Sequence, residues 1–130
     1  MANVNPMQQY QEQALNTATP GMVTVMLFDE AAKNINLAIR AVNEQNIQVS
    51  HDSIIKAQNI YLALNGFLNN KYEISKYLSK LYDYLARRLM EANVKKNTAI
   101  LKEVLSFTLE FRDTWKQAEK NIHMRSKQKV

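Results

Sequence analysis

The sequence contains no cysteine, and it has only two glycines and two prolines in 130 residues. Without cysteine there is no disulfide, no thiolate nucleophile and no sulfur-ligated metal, which fits a reducing compartment. All four helix-breaking residues precede residue 67, so nothing in the second half of the chain has to interrupt a helix. No apolar run approaches the roughly 20 residues that a membrane helix needs, and the start lacks the basic and apolar regions of a secretory signal. These absences predict a cytoplasmic protein without membrane insertion.

The formal net charge of +5 lies mostly in the last eleven residues. Residues 120–130 carry four basic side chains and no acidic one, which leaves 13 basic and 12 acidic residues in the rest of the chain. Such a tail gives salt-sensitive attraction to any polyanion, but the chain has no organised basic face with interleaved aromatic residues. We therefore expect no nucleic-acid partner.

Apolar residues recur at a spacing of three and four in four segments, which predicts four helices. The first runs from about residue 20 to 44, with Thr19 as N-cap and Pro20 in the first turn. The second ends near Asn69, and the fourth follows Asn97, a second N-cap candidate. The core-facing stripes are predicted to be Val23, Leu27, Ala31, Ile35, Ala38 and Val42, then Ile54, Ala57, Tyr61, Leu64 and Leu68, then Ile74, Leu78, Leu81, Leu85 and Ala92, and finally Ile100, Val104, Phe107, Phe111, Trp115, Ala118 and Ile122.

Short links between the helices force neighbours to run antiparallel, so the predicted fold is an all-α, antiparallel, up-down-up-down four-helix bundle. Residues 19–123 form the bundle in this interpretation. Residues 1–18, rich in Gln and Asn, are predicted to be a flexible N-terminal segment, and residues 124–130 a basic C-terminal tail.

The side chains that catalysis or metal binding in a bundle would need are missing. A di-iron bundle uses Glu-x-x-His pairs, but His51 is preceded at that spacing by Gln48 and His123 by Lys120. The two histidines lie near the ends of different helices, and the isolated glycines form no phosphate-binding loop. The sequence therefore predicts no enzyme, no cofactor and no metal site.

The helices carry more apolar residues than one stripe each requires, since about three positions in seven cover the core-facing side of a bundle helix. The surplus is expected to line a groove that binds an amphipathic helix laid across the second and third helices. The start of the chain could fill that groove when no partner is present, and the same surface is compatible with a homodimer of the empty form. The candidate partner-binding residues are Tyr10, Ile55, Tyr61, Leu62, Phe67, Tyr77, Tyr82, Tyr84 and Leu89.

Four stretches of the chain carry a family resemblance. They are the run Leu81–Asn93 (LYDYLARRLMEAN), Thr19-Pro20-Gly21 followed by Met26-Leu27-Phe28-Asp29, Lys56-Ala57-Gln58-Asn59-Ile60, and Phe111-Arg112-Asp113-Thr114-Trp115-Lys116. In their order and spacing they resemble the FliS family of flagellar export chaperones. The match spans about residues 10 to 118. Met22, Phe28 and Glu30 depart from the residues usual in that family, and Met22 weakens a capping box with Thr19.

The resemblance implies a non-enzymatic chaperone. Its client would be the disordered C-terminal segment of flagellin, bound at about one to one, and the loaded complex would dock at the flagellar type III export gate. An alternative function is a regulatory adaptor that binds an anti-sigma or other flagellar control protein. The residues that match the family are Tyr10, Leu27, Lys56, Ala57, Gln58, Tyr82, Tyr84, Arg87, Arg88, Glu91, Asn93, Arg112, Asp113 and Trp115. Among them, Leu27 and Trp115 are expected in the core, and Arg87, Arg88, Glu91 and Asp113 in contacts between helices.

Overall fold

A computed structural model describes residues 19–128, and in that range the chain forms four α-helices and no strand. The helices are α1 (Pro20–Asn43), α2 (Ile47–Gly66), α3 (Glu73–Lys95) and α4 (Thr98–Gln128). α1 packs against α2 and α4, and α3 packs against the same two helices, so the four rods enclose one core. The predicted all-α four-helix bundle is confirmed.

The sequence predicts segments outside the bundle at both ends of the chain. Residues 1–18, the predicted flexible segment, lie outside the described residues. The predicted tail begins at residue 124, and α4 continues as a helix through Gln128. No helix in the described range combines the length and the apolar character that crossing a bilayer requires.

Three helices begin with a side-chain cap, and the sequence predicts two of the three, Thr19 and Asn97. The Thr19 hydroxyl accepts a hydrogen bond from the Met22 N–H at 3.2 Å. Asn46 and Asn97 cap α2 and α4 in the same way, through Oδ1 and a backbone N–H three residues later. Such a cap satisfies one of the backbone donors that the first turn of a helix leaves unpaired. α3 has no side-chain cap and begins instead with an acidic residue, Glu73, in its first turn.

Two helices end without the glycine that usually follows a helix. Gln45 and Lys96 occupy the left-handed region, with φ of 59° and 51°. Because a Cβ is disfavoured there, both positions carry some strain. The second helix ends at Gly66, earlier than the predicted Asn69. Phe67 and Leu68 instead donate to carbonyls three residues back, so the helix closes with a tighter turn.

The core combines small residues, mostly on α1, with large side chains contributed by all four helices. Ala31, Ala38 and Ala57 are fully buried and allow α1 and α2 to approach closely. The largest buried side chains form an aromatic cluster in which Phe28, Tyr61 and Tyr82 meet with ring centroids 5.9 to 6.4 Å apart. Aromatic pairs at these separations stabilise a core beyond the area that they bury.

Candidate partner-binding surface

In the first half of α3, the face that enters the core is shifted by one residue from the predicted stripe. The buried residues of α3 are Ser75, Tyr82, Leu85, Leu89 and Ala92. From Tyr82 onward they are spaced by three, four and three, the heptad spacing of a bundle helix. Ile74 belongs to the predicted core stripe, but it is 61% exposed, and Leu78 and Leu81 are only half-buried. The predicted core residues Ile74, Leu78 and Leu81 therefore form an outer apolar edge of α3, whereas Leu85 and Ala92 are buried as predicted.

This edge faces α4 across an open concavity, which we call the α3–α4 groove. The groove has a volume of about 590 Å³, and its walls are formed by Ile74, Leu78, Glu110, Phe111, Asp113, Thr114 and Trp115. Tyr77 lies three residues after Ile74, on the same helical face, and is 66% exposed. The groove thus has apolar walls with two carboxylates on the α4 side.

The floor of the groove is continuous with the aromatic core. The Phe111 ring stacks on Phe28 with a centroid distance of 5.6 Å and meets Tyr82 edge-on at the same distance. Tyr82 and Tyr61 lie below it, and burial raises the pKa of both hydroxyl groups above the ordinary value of a tyrosine. The buried Tyr61 hydroxyl is hydrogen-bonded to Thr108. An apolar partner in the groove would therefore extend the core.

The groove is open at one end because α3 and α4 are joined at the other. Tyr84 Oη and Arg88 Nε both donate to Glu103 Oε1, at 3.1 and 2.9 Å. Arg88 also pairs with Glu91 on its own helix at 2.7 Å. The hydrogen bond with Glu103, followed by the pairing with Glu91, raises the pKa of Arg88. Of the four neighbouring helix pairs, α3 and α4 have the least extensive contact, so this polar clamp is their main tie outside the core.

A second concavity lies at the same end of the molecule, and we call it the bundle mouth. It measures about 480 Å³ and is lined by Pro20, Gly21, Val23, Thr24, Phe67 and Trp115. Trp115 lines both concavities. The α3–α4 groove and the bundle mouth therefore adjoin each other across a single indole ring.

An apolar strip also follows the seam between α2 and α3, where the sequence predicted the groove. Hydrogen bonds from Asn65 Nδ2 to Asp83 Oδ1 and between Asn93 and His51, each 2.9 Å long, fix the antiparallel register of the seam. The exposed apolar residues between these ties are Ile55, Leu62 and Met90. Polar ties close this seam at both ends, whereas the α3–α4 groove is open at one end.

Five of the nine predicted partner-binding residues are exposed. They are Ile55, Leu62, Phe67, Tyr77 and Tyr84. Phe67 lines the bundle mouth, and Tyr84 belongs to the polar clamp. Partner binding by these residues stays a prediction. Tyr10 lies outside the described residues.

The prediction that Tyr61, Tyr82 and Leu89 line a surface groove is wrong, because at most 1% of each residue is exposed. Their heptad positions direct them into the core. Ile74, Leu78 and Phe111, which do line the groove, had been assigned to the core. On α3, the heptad spacing read backward from Ala92 through Leu89, Leu85 and Tyr82 reaches Leu78 and Ser75 and leaves out Ile74. This spacing separates the buried Tyr82 and Leu89 from the exposed Ile74.

The polar residues that match the family pattern take several roles. Arg112 on α4 pairs with Asp29 of α1 at 3.4 Å and with its neighbour Asp113 at 3.0 Å. Arg88 makes the expected contact between helices, whereas Glu91 pairs within α3 and Asp113 within α4. Arg87 is exposed.

Two residues that were expected in the core lie at its edge. Leu27 and Trp115 are half-buried against the core and not enclosed by it.

Within residues that the structure describes, no three potential metal-ligating side chains come together.

Comparison with known proteins places this arrangement in a family. The model of the family described as flagellar protein FliS matches residues 2–122. The flagellar secretion chaperone FliS of Bacillus subtilis (strain 168) is 44% identical over 118 residues, which cover 91% of this chain and 89% of the relative. The protein of the same name from Salmonella typhimurium is 31% identical over 109 residues, covering 82% and 81% of the two chains.

The fold has a counterpart among solved structures. A structure titled as the crystal structure of a flagellar chaperone from bacteria superimposes with a TM-score of 0.74. It is 17% identical and covers 90% of this chain and 99% of that one, so it supports the bundle architecture alone. The family match and the two relatives carry the assignment: this chain belongs to the FliS family of flagellar secretion chaperones.

Proposed function

We propose that this protein binds the C-terminal segment of flagellin in the cytoplasm, prevents its premature polymerisation and delivers it to the flagellar type III export apparatus. No catalytic step is part of the proposal. The observation that carries it is the α3–α4 groove, whose apolar walls have no partner on any described helix and whose floor is the aromatic core.

The shape of the groove suits an amphipathic helix. Two antiparallel helices that diverge at one end expose apolar side chains along a line, and a partner helix reads such a line through positions separated by three, four and seven residues. A client segment that is disordered when free exposes its apolar face to aggregation. Covering that face in a groove removes the hazard without requiring the client to fold on its own. One groove per chain supports the expected stoichiometry of one to one.

The test is a calorimetric titration of the protein with a peptide from the C-terminal end of its cognate flagellin. We expect binding at about one to one with a negative heat-capacity change, because apolar surface is buried. The only tryptophan of the chain, Trp115, lies in the groove, so its fluorescence should change during the same titration. No detectable association at tens of micromolar would contradict the proposal.

A matched pair of variants on α3 separates binding in the groove from nonspecific binding to exposed apolar side chains. Ile74→Gln removes an exposed apolar wall of the groove, and Val94→Gln removes an equally aliphatic, 81% exposed side chain near the other end of the same helix. Neither change alters the charge or the core. We expect Ile74→Gln to weaken binding by about tenfold, the cost of leaving part of an isoleucine unburied, and Val94→Gln to change it less than twofold. Equal losses in both variants would show that the peptide does not use the groove.

We also propose that residues 1–18, with Tyr10 as an apolar anchor, compete with the client for this surface. Deleting them should then tighten peptide binding. Weaker binding after the deletion would show that these residues contribute to the client site.

For the empty form, light scattering coupled to size exclusion tests whether two chains pair through the groove. Added peptide should dissociate such a dimer.

A further inference from the structure

The first turn of α1 is held by a carboxylate of α4 that lies 100 residues away in the sequence. The Thr19 hydroxyl, which caps α1, donates a hydrogen bond to Glu119 Oε2 of α4 at 3.1 Å. The same carboxylate packs directly over Gly21, where a Cβ atom would overlap Oε1. Gly21 therefore leaves room for the Glu119 carboxylate over the first turn of α1.

This contact replaces a missing local interaction. A capping box needs Glu or Gln three residues after the capping Thr, and that position holds Met22. The first turn of α1 contains no acidic residue at all. Because the helix N-terminus is electropositive, a carboxylate there is stabilising wherever in the chain it comes from. Glu119 supplies that carboxylate from a position 100 residues away.

The position of the contact connects it to the partner-binding surface. Trp115 lies one helical turn before Glu119 and lines both the α3–α4 groove and the bundle mouth. Two polar ties attach this stretch of α4 to α1. One is the Arg112–Asp29 ion pair before Trp115, and the other is the Glu119–Thr19 hydrogen bond after it. From Lys120 to Arg125 every residue is exposed, so the second tie is the last one on α4 among the described side chains.

We infer that Glu119, Thr19 and Gly21 form a clasp that holds the Trp115 segment of α4 in place, and that Glu119 is a positioning residue for partner binding. This inference rests on the proposed function. With the clasp closed, the α4 wall of the groove is ordered before the partner arrives. With the clasp open, part of the binding free energy has to order that wall.

The experiment separates the cap from the clasp with a rescue variant. Glu119→Ala removes both, whereas adding Met22→Glu rebuilds a capping box within α1 without restoring any link to α4. We expect Glu119→Ala to lower the melting temperature by about 3 to 5 °C and to weaken peptide binding by about threefold to tenfold. The double variant should recover the melting temperature and keep the weakened binding. Recovery of both, or unchanged binding in Glu119→Ala, would show that Glu119 only caps the helix.

A second pair of variants tests the clasp sterically and without any partner. Gly21→Ala pushes the Glu119 carboxylate away, whereas a Cβ on Gly66, the other glycine, meets no atom within 4 Å. The fluorescence anisotropy of Trp115 in the free protein should fall in Gly21→Ala and in Glu119→Ala, and stay unchanged in Gly66→Ala. Unchanged anisotropy in all three would overturn the clasp. Since this readout needs no peptide, it stands even if the flagellin peptide does not bind.

Discussion

Replacing Leu89 by alanine tests which face of α3 enters the core. Leu89 is fully buried, whereas its neighbour Met90 is 53% exposed. Leu89→Ala removes three buried carbon atoms and leaves a cavity, which costs about 3 kcal/mol of the free energy of unfolding. Met90→Ala removes an unbranched apolar side chain from the same turn of the same helix. Its cost should stay within about 0.5 kcal/mol, because the side chain is mostly in water already.

Urea unfolding followed by circular dichroism measures both changes. With a denaturant dependence of about 2 kcal/mol per molar urea for a chain of this size, Leu89→Ala should lower the midpoint by about 1.5 M. Met90→Ala should shift it by no more than about 0.25 M under the same dependence. If the two variants lose equal stability, or if Met90→Ala loses more, the phase of α3 is wrong. Met90 would then face the core in place of Leu89, and the assignment of Ile74 to a wall of the α3–α4 groove would lose its basis.

Three further changes test separate parts of the account. Burial raises the folded-state pKa of Tyr61 above its unfolded value, so its contribution to stability is complete below about pH 10 and is lost as the pH rises beyond that; Tyr61→Phe should flatten the alkaline decline in the melting temperature, and an unchanged decline would contradict the assignment. Asn97→Ala removes the hydrogen bond to the Ile100 N–H and should cost about 1 kcal/mol in urea unfolding, with a neutral result excluding Asn97 as the cap. Gln45→Gly relieves the strain of the left-handed backbone and should raise the free energy of unfolding by about 0.5 to 1 kcal/mol, which a slightly higher melting temperature would report. A lower melting temperature would mean that the Gln45 side chain contributes more stability than its backbone strain costs.

Much of the fold follows from local signals in the sequence. The predicted caps Thr19 and Asn97 precede apolar stripes. The links between the helices are short, which forces neighbouring helices to run antiparallel. The stripe of α2 keeps one heptad phase from Ile54 to Leu64. Its buried apolar residues Ile54, Ala57, Tyr61 and Leu64 are all predicted ones.

The candidate site was harder to predict, and α3 shows why. This helix has apolar residues on two adjacent faces, so its own periodicity fits two phases that differ by one residue. Burial of Ser75 and exposure of Ile74 decide between the phases, and that choice depends on α2 and α4 and not on α3 alone. On α4 the regular stripe continues to Ile122, which no other described helix covers and which is 60% exposed. Periodicity reports amphipathicity and cannot report whether a neighbour is present.

The Glu119 contact lies beyond any local rule. A capping box is recognisable because its two residues are three positions apart, whereas Thr19 and Glu119 are joined only by the closure of α4 onto α1. The position of Gly21 inside a helix was the one visible sign, since glycine in a first turn needs a reason such as a close approach.

The most direct measurement of the central claim is a methyl NMR titration of isoleucine-labelled protein with the C-terminal flagellin peptide. Ile74 lines the α3–α4 groove, and Ile47, which is also exposed, lies at the opposite end of the bundle beside the link between α1 and α2. The account predicts that the Ile74 methyl signals shift in proportion to bound peptide while those of Ile47 stay in place. Shifts at Ile47 with an unchanged Ile74 would contradict it.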